Sequence, residues 1–559
     1  MSRSLYDKLY RLYGETLSES TISAQASALV DRDQKAWKPA LSPTCLPKLD
    51  TTRVAIVGGG FAGMMAAWSL CEIYSGIEVV VFEARAEVGG RVWSNEGFTN
   101  GTRTIEFGAE LVGANHPTWI KLARDLGVGL ITRTGEDHYK LMRLQMKLRV
   151  DGKDLSNQDA KQMEQEMKAI ILEIGKDASK IKDDNASKPW NQPDLKKFDD
   201  MSLKDKLIKP RPDGLALNPT TLGYRAIQMQ LENNLVNPLD KINYLALLCL
   251  VKAGRFGTDD DGKDKEYFGY WEHTEDFRCA DGCQTLVKKM VAKLTHPASK
   301  YKFTLLTNTE VKKIDTNSPS PPKFVKLEWK STAAVKKVDA GFDYVILAVP
   351  PTVWDSIAIT PQHPKDIGTI QMGPASKFFS NFKERFWILE PPTPSGIPPV
   401  PGNLDGTAPS GISSDLGMIW EGTDNQTQVG DSEVVLSAFS GGPVAKLWGD
   451  VYCKRKMREL YRGYDAYSSG KKGKKTQLVD WGTTKYIQTG YSSPQTGHMF
   501  KVAPELQKAR GGGRMFLAGE HTQTDFYGFM EGALRSGRRA AVNVISTVCP
   551  GSFPDFPNA

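Results

Sequence analysis

Between residues 53 and 83 the chain reads as strand, glycine turn, helix and strand, an order and spacing that few folds accept. Arg53-Val54-Ala55-Ile56-Val57 is a short apolar run of the kind that becomes a buried parallel strand. Gly58-Gly59-Gly60-Phe61-Ala62-Gly63 then fits G-x-G-x-x-G. Gly58 permits the tight turn, Gly60 lets a pyrophosphate approach the backbone, and Gly63 lets the following helix pack closely on the strand. That helix runs through Ala66, Ala67 and Leu70, and its N-terminus carries roughly half a positive charge, which favours phosphate. Val79-Val80-Val81-Phe82 is the second strand. Glu83 ends it, at the spacing from Gly63 that suits a carboxylate accepting hydrogen bonds from ribose hydroxyls. A lone glycine motif is weak evidence, but this one sits between a strand and a helix with the acid correctly placed. It indicates a dinucleotide, and does not by itself separate NAD from FAD.

The rest of the chain is organised around that unit. With 559 residues it exceeds one compact core and predicts two or more domains. A charged content of 25% and a net charge of +7 are ordinary for a globular enzyme and give no argument for nucleic acid. The basic run Lys471 to Lys475 reads as a solvated loop. Seven scattered cysteines make a poor disulfide framework, and Cys279 and Cys283 lack the second pair that a zinc site needs. There is no secretory leader and no run of about 18 apolar residues, so the expected location is the cytoplasm, without a membrane span.

Residues 1–50 read as an N-terminal arm. Residues 155–180 and 222–252 read as helices, 183–198 and 390–410 as loops, and 257–268 as an exposed polar insertion. Strand character returns at 303–349. The expected fold class is α/β. Its Rossmann-like dinucleotide-binding domain is discontinuous, built from 51–115, 276–350 and 505–548. Residues 116–275 form a helical and substrate-domain insert, 351–504 a sheet-bearing substrate domain, and 549–559 a tail.

Gly89-Gly90-Arg91 follows the ribose acid, and it is through a resemblance that this second glycine pair and arginine point to FAD instead of NAD. The run from Val57 to Arg91 resembles the flavin amine oxidase superfamily. Arg514-Met515-Phe516-Leu517-Ala518-Gly519-Glu520 and Gly528-Phe529-Met530-Glu531-Gly532 resemble that family's closing FAD motif. The resemblance implies non-covalent FAD, because Gly490 stands where monoamine oxidases have a cysteine bonded to the flavin. The cofactor-binding residues it implies begin with Gly58, Gly60, Phe61, Ala62 and Gly63. They continue with Glu83, Ala84, Arg85, Gly90, Arg91, Gly108, Ala109 and Glu110. Val311, Trp481, Gly519, Glu520, Gly528, Phe529 and Met530 complete the set. It places Arg91 on the pyrophosphate, Glu520 on the ribitol, and the Met530 N–H at the negative edge of the flavin.

The same resemblance implies the chemistry. Lys377, in Gly373-Pro374-Ala375-Ser376-Lys377, matches the lysine that holds a water beside flavin N5 and assists reaction with oxygen. Trp481 crosses the flavin face. Tyr491 and Phe529 match the two aromatic positions that flank the substrate amine. An apolar cage disfavours the ammonium, which must be neutral before hydride leaves its carbon for flavin N5. Neutralising an amine whose pKa lies two units above ambient costs about 2.7 kcal/mol. His521 reads as structural.

The stretches Glu106–Trp119 and Tyr270–Gly282 resemble a bacterial and fungal branch of L-amino acid oxidases. The expected reaction is therefore oxidative deamination of an L-α-amino acid to the 2-oxo acid, ammonia and hydrogen peroxide. Substrate and O2 are the expected small-molecule partners, and a homodimer is among the expected assemblies. An amino acid requires a cation for its carboxylate, best an arginine. Arg225, Arg255 and Arg278 are the candidates by position. Glu110 departs from the Gly-Ala-Met sequence that precedes the arginine in many such oxidases, which admits a primary amine or polyamine oxidase. A flavin module without turnover is the alternative outside enzymes. The acids Asp259-Asp260-Asp261, Glu272, Glu275 and Asp276 raise the question of a basic substrate, with a solvated loop as their other meaning.

Overall fold

The computed structural model describes residues 41–553 except 100, 102, 134–143, 183–185, 256–268, 318–323, 333–339, 384, 386–387, 390–404, 425, 427–432, 462–463 and 465–475. Its centre is a parallel five-stranded sheet in the order Met515–Leu517, Tyr344–Leu347, Arg53–Val57, Glu78–Phe82, Lys302–Leu306. All five residues of Arg53–Val57 are buried, because both faces of this sheet are covered. On one face lie the helices Phe61–Ile73 and Met530–Val548. Gly537 permits their approach: a Cβ there would lie 2.1 Å from the Ala62 carbonyl oxygen. On the other face a four-stranded sheet, which includes Thr309–Asp315 and Val325–Ser331, closes a core of Phe82, Val311, Phe342 and Trp354. The class is mixed α/β with a parallel sheet, as expected.

A second sheet is largely antiparallel and carries Ala375–Phe382 between Val434–Gly441 and Thr476–Asp480. It continues through Gly417–Glu421 and Asp405–Ser413 to Leu144–Val150. Part of the expected loop 390–410 is thus strand from Asp405 on, and the remainder lies outside the described residues. A helical layer comprises Asn157–Ala178, Leu222–Asn234 and Tyr244–Ala253. Ser156 and Asp159 form a reciprocal cap on the first, and Thr221 and Asn243 cap the other two.

Two local expectations need correction. The helix expected over 222–252 is two helices, interrupted where Val236 takes a positive φ of 52° and Pro238 follows. The loop expected over 183–198 holds short helical turns at Pro189–Asn191 and Pro193–Leu195, then the helix Lys196–Asp199. Its two prolines open turns at the first helical position instead of breaking them. The insertion 257–268, the run Lys471–Lys475 and most of the N-terminal arm lie outside the described residues. Among the described residues no helix is long and apolar enough to cross a membrane, no His/Cys/Asp/Glu group is arranged to hold a metal, and all seven cysteines are free thiols.

Candidate active site

One continuous cavity runs from the glycine turn at Gly58 to the sheet strand bearing Lys377. Its first half suits an FAD. The helix Phe61–Ile73 starts at Gly60, so its leading N–H groups have no acceptor within the helix and face the turn. The turn is bridged to the second glycine pair, Gly60 to Gly89. A Cβ on Gly90 would sit 3.2 Å from the Gly60 Cα, closing a channel that the two glycine turns leave for phosphate. Glu83 is buried at the end of its strand. Gly59 N–H and Arg85 N–H, each at 2.7 Å, hold one carboxylate oxygen apiece and leave lone pairs for hydroxyl donors. Ala84, Val311, Gly519 and Met530 line the same half. Met530 occupies the first position of its helix, where its N–H has no intrahelical acceptor.

Glu520 is a junction. Its carboxylate accepts from Arg91 at 2.7 Å, from Ser492 Oγ at 2.5 Å, and from the backbone N–H groups of Gly528 and Ser492 at 2.6 and 3.2 Å. Burial alone raises its pKa, but Arg91 and these donors more than offset that and hold it below the ordinary carboxylate value. Arg91 also donates to the Gly490 carbonyl at 2.9 Å. Gly490 has no room for a side chain: a Cβ would lie 2.6 Å from the Ala375 Cβ and 2.8 Å from the Gly373 carbonyl oxygen. His521 beside it is buried, neutral and pushed down to about 3 by desolvation, with its ring edge-on to Trp354.

The second half of the cavity holds Lys377, Glu110, Trp481 and a set of aromatic rings. Lys377 Nζ donates to Glu110 Oε2 at 2.7 Å and to the carbonyls of Glu106 and Gly108 at 2.8 and 3.0 Å. Its three protons are therefore taken by protein acceptors, and the water that the resemblance gives this lysine has no remaining donor here. Glu110 also receives Arg278 at 2.8 Å and Trp420 Nε1 at 3.0 Å. Burial pushes the Glu110 pKa up, yet Lys377 and Arg278 outweigh it and keep the group ionised. Trp481 is buried with its indole N–H on the Phe107 carbonyl. Tyr491 lies parallel to Phe439, at 6.5 Å between ring centres, and its hydroxyl donates to the Asn234 carbonyl. Phe529 meets His116 and Tyr270 edge-on.

The candidate carboxylate anchors lie elsewhere. Arg278 is 2% exposed and engaged by Glu110 together with the carbonyls of Glu421, Gly422 and Asp424. Arg225 is exposed and paired with Asp151, and neither Arg225 nor Arg255 lines the cavity. The lining arginines among the described residues are Arg85 and Arg91, both in the dinucleotide half. Sequence reasoning missed Trp420, Phe439, Met418, Gln230 and Asn234, which also line the cavity. They come from strands and a helix without any local motif, so only the fold could gather them.

Glu106, whose carbonyl accepts from Lys377, differs from Glu110 in protonation. Burial raises its pKa to about 7, against the Cys283 N–H and Ser94 hydroxyl that favour its ionised form. The unfolded chain therefore loses this proton first, and stability falls as pH rises from about 4.5 to about 7, then levels. Glu106→Gln is expected to flatten that segment of the profile. Urea midpoints at about pH 5 and about pH 8 check it: an undiminished fall in the variant assigns the slope to other groups.

Comparison with known proteins agrees with this geometry. The family model for flavin containing amine oxidoreductase matches residues 61–545. A flavin-containing amine oxidase of Oncorhynchus mykiss is 23% identical over 526 residues, covering 89% of this chain and 86% of that one. Amine oxidase B of Canis lupus familiaris is 24% identical over 531 residues, covering 90% and 87%. Among solved structures, putrescine oxidase bound to putrescine superposes with a TM-score of 0.66 at 19% identity, over 89% of this chain and 99% of that one. Cyclohexylamine oxidase from Brevibacterium oxydans IH-35A gives 0.65 at 17%, with the same coverage. With a dinucleotide cradle at one end of the cavity, an aromatic chamber at the other and a family match across most of its length, the chain belongs to the flavin-containing amine oxidoreductases, and its cofactor is FAD.

Proposed function

We propose that this protein is an oxidase of a small primary amine, with FAD held non-covalently and hydrogen peroxide released. The observation that carries the reading is the make-up of the substrate half of the cavity. Tyr270, Trp271, Trp420, Phe439, Tyr491 and Phe529 surround it, and among the described residues no arginine enters it. Aromatic walls admit an amine and lower the cost of its neutral form. The carboxylate of an amino acid would find there only Lys377, whose protons are already engaged. The chemistry that FAD supplies when bound is acceptance of hydride from the carbon bearing the amine, with oxygen taking the electrons onward. Lys377 would place a fixed positive charge beside the reacting atoms, and Arg91 and Met530 would hold the cofactor's phosphate and flavin edges. The crowding at Gly490 supports a cofactor that is not bonded to the chain there.

The L-amino acid reading, carried by the stretches around Glu106–Trp119 and Tyr270–Gly282, is the competitor. Anaerobic mixing of the yellow protein with a panel of L-amino acids and their decarboxylated amines decides between them. Bleaching by amines is the expected result. Bleaching by L-amino acids alone would overturn the amine reading and require a carboxylate partner other than Arg278. Bleaching without peroxide release in air would mark a redox module instead of an oxidase.

A further inference from the structure

The aromatic half of the cavity carries two carboxylates in different situations. Glu110 is neutralised by Lys377 and Arg278. Glu275 also lines the cavity, and among the described residues its carboxylate has no hydrogen-bond donor. The nearest cation is Arg133, at 3.6 Å, which stands outside the cavity wall. The Glu275 side chain is 35% exposed, and it is the cavity it borders. Burial raises its pKa, the neighbouring Glu110 and Asp276 carboxylates add to the rise, and Arg133 only partly opposes it. A second acceptor in the same wall, Gln230 Oε1, is buried with no partner. The complement to two underused acceptors is a group rich in N–H donors and positively charged.

That group is not the amine that reacts. Oxidation needs the reacting amine unprotonated, and a carboxylate beside it would hold its proton in place. A carboxylate in this chamber is useful only to a charge that stays charged. We infer that the cavity selects amines carrying a second cationic group, whose charge Glu275 receives. This rests on the oxidase reading above and narrows its substrate class.

Two matched pairs test it, by anaerobic flavin reduction at limiting substrate: pentane-1,5-diamine against pentylamine, and L-lysine against L-norleucine. Each pair differs by one distal amine, and comparing the pairs tells a diamine from a basic amino acid. In the wild-type protein the dicationic member of the pair that reacts is expected to lead by about 10- to 100-fold, the scale of one buried charged hydrogen bond. In Glu275→Gln the lead should shrink to about threefold or less, and Glu275→Asp should retain part of it. Unchanged FAD content and circular dichroism show that the variants fold. Equal reduction within the reacting pair of the wild-type protein, or a lead that survives Glu275→Gln, would overturn the inference and leave the oxidase reading standing. Silence from all four compounds, with bleaching by another amine of the panel above, would likewise overturn the inference and leave the oxidase reading standing; silence from the whole panel would reject both.

Discussion

Glu110→Gln is expected to lower the unfolding free energy by about 3–5 kcal/mol, among the largest single losses available in this chain. The reason is the company that Glu110 keeps. Lys377 and Arg278 reach it at 2.7 and 2.8 Å, and their side chains are 5% and 2% exposed. Remove the charge and two buried cations remain against each other, with only carbonyls and one amide oxygen to face. Replacing all three residues together by methionine should recover most of the loss, because an apolar cluster of similar volume does not carry the desolvation cost of three ions. Urea denaturation of the single and triple variants, at equal FAD content, measures both. A Glu110→Gln protein within about 1 kcal/mol of the parent would mean that water or a rearranged partner relieves the cations, and the network would lose its structural importance.

Lys377→Met is the second large effect. On the proposed oxidase reading, its positive charge, 5.2 Å from the Trp420 ring centre in the cavity, lies where negative charge would develop on oxygen as the reduced flavin is reoxidised. A fixed charge in a dry site stabilises such charge strongly. Reaction of the reduced protein with oxygen is expected to slow by roughly 100-fold, while FAD stays bound and substrate reduction changes far less. Stability should fall less than in Glu110→Gln, since Glu110 keeps Arg278 and the Trp420 indole. Stopped-flow mixing of the reduced variant with oxygenated buffer gives the number. An unchanged rate would remove Lys377 from the oxygen step and leave it as a strut for Glu110.

The dinucleotide half of the site was legible in the chain because its requirements are local. Gly58, Gly60 and Gly63 are needed by a turn within six residues, and Glu83 follows from the length of one helix and one strand. The parallel sheet followed from apolar runs such as Arg53–Val57 and Tyr344–Leu347. The amine half was legible only in part: Lys377, Trp481, Tyr491 and Phe529 were named through the resemblance and do line the cavity, whereas Trp420, Phe439, Gln230 and Asn234 come from separated segments that carry no motif. Arg278 shows the difficulty best. Its type suits a carboxylate, and it does bind one, but that carboxylate belongs to Glu110. Residue type announces what a side chain is able to hold, and only the fold decides which partner arrives. The same holds for the prolines at 189 and 193, in a segment that reads as a loop and instead opens helical turns.

The Glu520 junction has a consequence for biosynthesis. It ties Arg91 to Ser492 and Gly528, and the last strand of the central sheet, Met515–Leu517, lies just before it. A nascent chain emerges from its N-terminus, so the glycine cradle is exposed long before Glu520, Met530 and the closing helix exist. From the emergence of Tyr344–Leu347 until Met515–Leu517 follows it, the half-built sheet shows an open edge and an uncovered apolar face. Cofactor capture is thus confined to the final moments of synthesis or to the released chain.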